Sequence, residues 1–238
     1  KEYGLGDLVA DAVRWATSQH DPEGPVQVVF EANGVIRDGI KKGKTGEVRV
    51  ADLFQVLPLG LGPNDDLGYP MLAFYLTPYE IKAGLEVIVG IAPAIADSFF
   101  LQVSGLKFEY DTDGGLLSMV QNVWLGNEED GYDATPLDLS PENKQLIRVA
   151  TNLYIAQMLG VIKPYTGIAI DLKDKDGKIY EDITDAMVDA DPDTAGVQEY
   201  KLWRTLIDFL RSQTVESGAT LPKIPARYEK ALGRMKEI

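Results

Sequence analysis

Phe30-Glu31-Ala32-Asn33-Gly34-Val35-Ile36-Arg37-Asp38 is the stretch from which the rest of the chain is read. It leaves Val26 to Phe30, a run rich in β-branched residues and short enough for a buried strand. It leads into the basic, Gly-spaced turn Lys41 to Glu47. A loop leaving a strand in this way, with Gly34 free to adopt positive φ, aims backbone N–H groups at one point. Arg37 adds a guanidinium able to grip a phosphate or carboxylate through two hydrogen bonds. Asn33, Gly34 and Arg37 are therefore the candidate substrate-binding residues, facing a small anion. Taken alone, Asn-Gly is foremost a turn signal and an Arg beside an Asp a surface ion pair, so the anion reading depends on its surroundings.

Upstream, Asp7 can cap a helix on which Leu8, Val9, Ala12, Val13 and Ala16 recur at helical spacing, and His20 to Pro25 is punctuation. Downstream, Val50 to Leu57 reads as a short helix halted by Pro58, and Met71 to Leu76 as a strand. Thr77-Pro78-Tyr79-Glu80 is a capping box with Pro at the first helical position, ahead of Ile81, Leu85, Ile88 and Val89 on one face. From Phe99 to Trp124 the pattern is strand, turn, strand, with Asp111 to Gly115 as the connection. Leu146 to Ala150 reads as a further strand and Asp174-Lys175-Asp176-Gly177 as a second hairpin turn. Tyr200, Trp203, Leu206, Ile207 and Leu210 form the stripe of a late helix. Strands and helices mix without a regular βαβ repeat, which predicts an α+β fold: a mixed sheet with packed helices.

With 238 residues, 45% of them hydrophobic, the chain can bury a sizeable core. A net charge of −14 repels a polyphosphate backbone, so no nucleic-acid polymer is expected as a partner. No apolar run approaches the roughly 20 residues of a membrane-spanning helix, so no membrane span is expected. The absence of cysteine excludes disulfides, thiolate zinc sites and a thiol nucleophile, and suits a periplasm as well as a cytosol. Lys1 is expected to lie inside a longer precursor, since neither an initiator Met nor a leader pattern precedes it.

Several ordered segments together resemble the 5'-nucleotidase C-terminal domain family. Phe30 to Asp38 is similar to its Asn-Gly-Gly-Gly-Ile-Arg loop, and Gly4 to Ala12 to its opening Asn-Leu-Gly-Asn-Leu-Val-Ala-Asp-Ala helix. Val50 to Pro58 resembles the helix before its Pro-Phe-Gly loop, and Thr77 to Leu85 its Leu-Thr-Gly helix start. Phe100 to Phe108 resembles its Val-Ser-Gly-Leu strand, and Arg148 to Asn152 its Val-Ala-Thr-Asn strand. The resemblance runs from Tyr3 to about Asn152. It implies a single 5'-nucleotidase C-terminal-domain-like unit over residues 1–238, with a divergent extension from about residue 154.

The resemblance further implies a divided enzyme. The phosphate ester, a nucleotide or a relative of one, is held by this domain and cut in an N-terminal metallophosphoesterase domain of the same polypeptide, expected upstream. That domain carries two divalent metals, and no cofactor is expected in this chain, which by itself is expected to be inactive. A periplasmic or extracellular location follows from the same resemblance. In the family two aromatic rings clamp the base, while arginine and asparagine side chains hold the rest of the substrate. Here Ala32 stands where the family has its asparagine and Leu59 where it has one ring. Leu153 to Gly160 replaces the Gly-Gly-Asp-Gly-Phe/Tyr motif, leaving Tyr154 or Tyr165 as a stand-in for the second ring. Stacking is worth roughly 1–3 kcal/mol per base, so loss of both rings costs about two orders of magnitude or more in affinity. The departures keep open an alternative: a non-catalytic binding or scaffold domain that has lost nucleotide recognition, its pocket filled by the bulky Met158 to Ile162.

Other candidates read as structure. His20 is the lone histidine, at a helix end, and cannot build a multi-His metal site. Asp174 to Gly177 lacks the first Asp of a calcium loop, since Leu172 holds that position. Asp185, Asp189, Asp191 and Asp193 read as solvated loop, and Ser104, without a nearby base, as a strand bend.

Overall fold

The computed structural model describes residues 1–41, 43–92, 96–115, 117–160 and 163–238. Lys42, Val161, Ile162 and the ring of Tyr165 lie outside the described parts. The strands are β1 Val28–Ala32, β2 Met71–Leu76, β3 Leu101–Ser104, β4 Leu106–Tyr110, β5 Val120–Asn127, β6 Gly131–Tyr132, β7 Ile147–Asn152 and β8 Met235–Glu237. The main helices are α1 Gly4–His20, α2 Val50–Val56, α3 Pro78–Glu86, α4 Leu153–Leu159 and α5 Leu202–Ser212. Two four-stranded sheets result, one ordered β2-β7-β1-β3 and the other β6-β5-β4-β8. Both are mixed: β1 is parallel to β7 and antiparallel to β3, while β4 is antiparallel to β5 and parallel to β8. The expected α+β class is what the chain adopts.

Every residue of β1 is buried because the first sheet is covered on both faces. Val28, Phe30 and Ala32 join a core built with α3, α4 and the second sheet, whereas Val29 joins the core under α1, α2 and α5. Each Leu, Ile, Val or Phe so buried contributes about 1.5–3 kcal/mol. Gly105, at φ +79°, carries the chain from β3 into β4; a Cβ there would lie 1.7 Å from the Gln27 carbonyl oxygen.

Met71–Leu76 and the Thr77 capping box stand as expected, with the Thr77 N–H donating to Glu80 Oε2 at 2.8 Å. The helical path continues past α3 as a π-helical turn, Val87–Ile91. Three boundaries differ from the sequence expectations. The strand expected at Val26 to Phe30 lies at Val28–Ala32, because the Val26 N–H donates to Ser18 Oγ (2.9 Å) while Glu31 and Ala32 pair with β3. The strand expected at Leu146 to Ala150 runs on to Asn152, held by β2 through Met71. Asp7 does not cap α1: the helix begins at Gly4, and the Asp7 carboxylate accepts the Leu232 N–H at 2.9 Å. A distant segment, not the local turn, claims that carboxylate. The same segment lies so close that a Cβ on Gly4 would meet the Tyr228 carbonyl oxygen at 2.0 Å.

That C-terminal segment is part of the core, well beyond the stretch of sequence resemblance. Helix α5 lays Leu202, Leu206 and Ile207 into the core beneath α1, and β8 extends the second sheet. Arg234, 1% exposed, joins both. It donates to Glu128 at 2.7 and 2.9 Å, to Asp11 at 2.9 Å and to the Val103 carbonyl at 2.7 Å.

Candidate functional site

Strands β1 and β7 run parallel and end side by side at Ala32 and Asn152; carboxyl ends of parallel strands are where open sheets present ligands. From β1 the chain enters a 3-10 turn, Asn33–Val35. The Asn33 N–H donates to the Phe100 carbonyl (2.9 Å), that of Ile36 to the Asn33 carbonyl (3.1 Å) and that of Arg37 to the Val56 carbonyl (2.8 Å). These amides, which the sequence reading aims at an anion, hold the turn in place instead. Gly34 is not in the left-handed region; glycine is required because a Cβ would lie 2.9 Å from the Ser98 carbonyl oxygen. Arg37 is exposed, its Nη1 donating to the Gly34 carbonyl at 3.2 Å. Asn33 turns inward, accepting from Gln102 Nε2 at 2.8 Å and donating to Asp97 Oδ2 at 3.2 Å. The structure thus joins Gly34 to Arg37, and among the three candidates Arg37 is the exposed one.

Beneath the turn lies a polar row that sequence reasoning missed. Asn152, Glu31 and Gln102 stand side by side across β7, β1 and β3, all fully buried. Glu31 Oε1 accepts from Asn152 Nδ2 at 2.6 Å and from the Ala32 N–H at 3.1 Å. Burial pushes its carboxyl up to about 8, outweighing both hydrogen bonds. The available signal was a glutamate near the end of an otherwise apolar run, Val28-Val29-Phe30-Glu31-Ala32.

The loop after α2 brings up a second ring. Tyr69 N–H donates to the Leu59 carbonyl at 3.1 Å, and the left-handed Gly60 (φ +98°) would push a Cβ to within 2.4 Å of the Tyr69 ring. Tyr69 stacks on Tyr154, centroids 5.6 Å apart and planes at 27°. Tyr154, one proposed stand-in, therefore already has an aromatic neighbour. A base held between two rings needs about 7 Å between them, twice a contact distance of roughly 3.5 Å, so this pair is closed on itself. A hollow of about 820 Å³ lies elsewhere, between residues 45–48, α5 and residues 221–224, and another of about 340 Å³ lies beside α4.

The remaining candidates behave structurally. His20 ends α1 with its ring centroid 4.2 Å from that of Tyr200. Asp174 Oδ1 accepts the Asp176 and Lys178 N–H groups at 2.9 Å each, a side-chain turn. Ser104 does have a carboxylate neighbour, Asp11, to which it donates, and it accepts from Arg14 Nε at 2.9 Å; Arg234 and Tyr228 also hold Asp11. Among the described residues no group of three or more His, Asp or Glu is placed to hold a metal ion. No helix among them is long and apolar enough to cross a membrane.

A two-faced mixed sheet with its polar turn at parallel strand ends defines an α+β domain. Residues 1–163 match the family described as 5'-nucleotidase, C-terminal domain, and the chain belongs to that family. Its fold is similar to that of a 5'-nucleotidase precursor from Thermus thermophilus (24% identity, TM-score 0.61, all of this chain and 36% of that one). It is also similar to the NAD nucleotidase of Haemophilus influenzae (15% identity, TM-score 0.55, 99% and 33%). A third likeness is to the sulfate thiohydrolase SoxB of Thermus thermophilus (19% identity, TM-score 0.50, 99% and 32%). The chain spans about a third of the length of each. No curated protein sequence matches it.

Proposed function

We propose that this chain is the substrate-recognition domain of a 5'-nucleotidase-type metallophosphoesterase acting on a nucleotide or related phosphate ester, at the periplasmic or extracellular side of a bacterial-type cell. Catalysis would reside in an N-terminal domain of the same polypeptide, where two divalent metals supply an activated water and Lewis-acid stabilisation. The observation that carries the reading is Arg37: an exposed guanidinium at the tip of a turn fixed to β3 and α2 by its own backbone. A pre-placed cation of this kind anchors an anionic substrate with little ordering cost. Asn33 and Gly34 shape the turn under it, Asn33 by its inward hydrogen bonds and Gly34 by its close approach to Ser98.

The test is Arg37→Ala in the natural polypeptide, assayed on a panel of phosphate esters. A lost charge-assisted hydrogen bond of about 1.5–3 kcal/mol predicts a drop in kcat/KM of roughly 10- to 150-fold. Unchanged kinetics on an ester the enzyme demonstrably hydrolyses removes the anchor role.

The Tyr69–Tyr154 stack favours a second reading, a binding or scaffold domain without nucleoside recognition, because the rings contact each other. Calorimetry with nucleotides, sugar phosphates and inorganic phosphate separates the two. The scaffold reading requires that none shows saturable binding sensitive to Arg37→Ala.

A further inference from the structure

The row beneath the Arg37 turn holds two buried hydrogen-bond acceptors that no donor satisfies. Glu31 and Gln102 are register partners on β1 and β3, both 0% exposed, and Glu31 Oε2 and Gln102 Oε1 are both buried without a partner. Rotating the Gln102 amide does not help, because its nitrogen already donates to Asn33 Oδ1 (2.8 Å) and to the Lys1 carbonyl (3.1 Å). The rotated form would set oxygen against two acceptors. Every other link has a donor facing an acceptor in one direction: Asn152 to Glu31 at 2.6 Å, Gln102 to Asn33 at 2.8 Å, Asn33 to Asp97 at 3.2 Å. A single proton on Glu31 Oε2 completes the sequence.

We propose that Glu31 is a positioning residue carried as a neutral carboxylic acid, donating its proton to Gln102 Oε1 and thereby orienting Asn33 in the Arg37 turn. Leaving both acceptors bare would cost a desolvation penalty at each buried atom, whereas one proton satisfies the pair. The groups around Glu31 supply no counter-charge. β3 presents Gln102 and β7 presents Asn152, both neutral. Helix α1 brings Asp7, whose carboxylate takes the Leu232 N–H, and Asp11, which is held by Arg234 and Tyr228. The far end carries Asp97, whose Oδ2 accepts from Asn33 Nδ2 at 3.2 Å. Gly6 lets α1 close over the row, since a Cβ there would lie 2.4 Å from Gln102 Cδ. Burial raises the carboxyl to about 8, consistent with a proton retained at neutral pH. On ionisation the donor is lost, two acceptors face each other, and the inward hold on Asn33 weakens.

The proton assignment is independent of any ligand; its consequence for recognition rests on the reading of Arg37 given above. The test is a side-chain carboxyl NMR titration of the chain, recorded together with the Asn33 side-chain amide and the backbone amides of Gly34 to Arg37. One glutamate is expected to titrate near pH 8, with the turn amides moving at the same midpoint. In Glu31→Gln, which can accept from Asn152 and donate to Gln102 at every pH, both transitions should vanish while the low-pH turn spectrum is kept. Glutamates that all titrate in the ordinary carboxylate range would overturn the proposal, and so would turn amides that stay still through the transition. Affinity for inorganic phosphate is then compared across the same pH range. Wild type is expected to weaken several-fold relative to Glu31→Gln above the transition, with Arg37→Ala abolishing binding in both. Absence of phosphate binding at Arg37 would sink the recognition reading and leave the Glu31 assignment standing; binding with identical pH profiles would sink the positioning role.

Discussion

Glu31 and Asp11 both lie buried between the first sheet and α1, yet their surroundings answer burial in opposite ways. Asp11 meets a cation: Arg234 reaches it from the C-terminal segment, Tyr228 donates to it at 2.8 Å, and Glu128 shares the same guanidinium. Glu31 meets only amides. Where the cation arrives, it bridges two carboxylates and bolts the last strand to the first helix; where none arrives, burial pushes the carboxyl up and the link can be undone by pH. Glu128 shows the first case clearly. Burial pushes it up, but the hydrogen bonds and charge of Arg234 outweigh burial and hold it at about 2.

The largest break in this comparison is Arg234→Met. It strands Asp11 and Glu128 beside an apolar chain, and unfolding in denaturant should register a loss of about 3–5 kcal/mol. A loss under about 1 kcal/mol would mean that the cluster is not a structural bolt. Next comes Glu31→Gln, through the pH dependence of Tm. Glu31 has a folded-state value of about 8, above its ordinary 4.5. Its contribution is therefore fully present below the ordinary value and is lost as pH rises toward 8. The Tm of Glu31→Gln should gain on wild type through that window, by the equivalent of a few kcal/mol at about 1.4 per unit, and above it the two should run parallel with that gap kept. Glu128 has the opposite sign: its contribution is present above the ordinary range and is lost as pH falls toward 2. An Arg234→Met variant should lack that acid-side decline.

Gly34→Ala is a smaller perturbation. Its new methyl meets a backbone carbonyl at 2.9 Å, and overpacking of this kind costs about 1–3 kcal/mol. Calorimetry should show a lowered Tm and, if the turn serves recognition, weakened phosphate-ester kinetics as well. Arg37→Ala should be the gentlest for stability, within about 0.5 kcal/mol because the side chain is exposed, while the proposed anchor role requires a large fall in kcat/KM. A matching fall in Tm would place Arg37 with the structural residues.

The elements read correctly from sequence are those whose cause is local. The Thr77 capping box closes on itself three residues away, and the apolar strand Met71–Leu76 ends where that box begins. The Asp174 turn likewise uses its own neighbouring N–H groups. The misread positions have distant partners. Asp7 looked like a cap until Leu232 took its carboxylate, and Tyr69 had no sign of pairing with Tyr154 because the two are far apart in the chain. Of the candidate site, the place of Arg37 on a turn after a strand was legible, whereas the inward turn of Asn33 depends on Gln102 and Asp97.

By itself the sequence determined the α+β class, the family to which residues 1–163 belong, and the Arg-bearing turn, because strand alternation, capping and turn chemistry act within a few residues of each other. Only the tertiary structure decided which buried carboxyl would be charged. A carboxyl group's state under burial depends on whether a cation reaches it through space, and Arg234 reaches Glu128 across 106 positions of chain while no cation reaches Glu31 among the described residues.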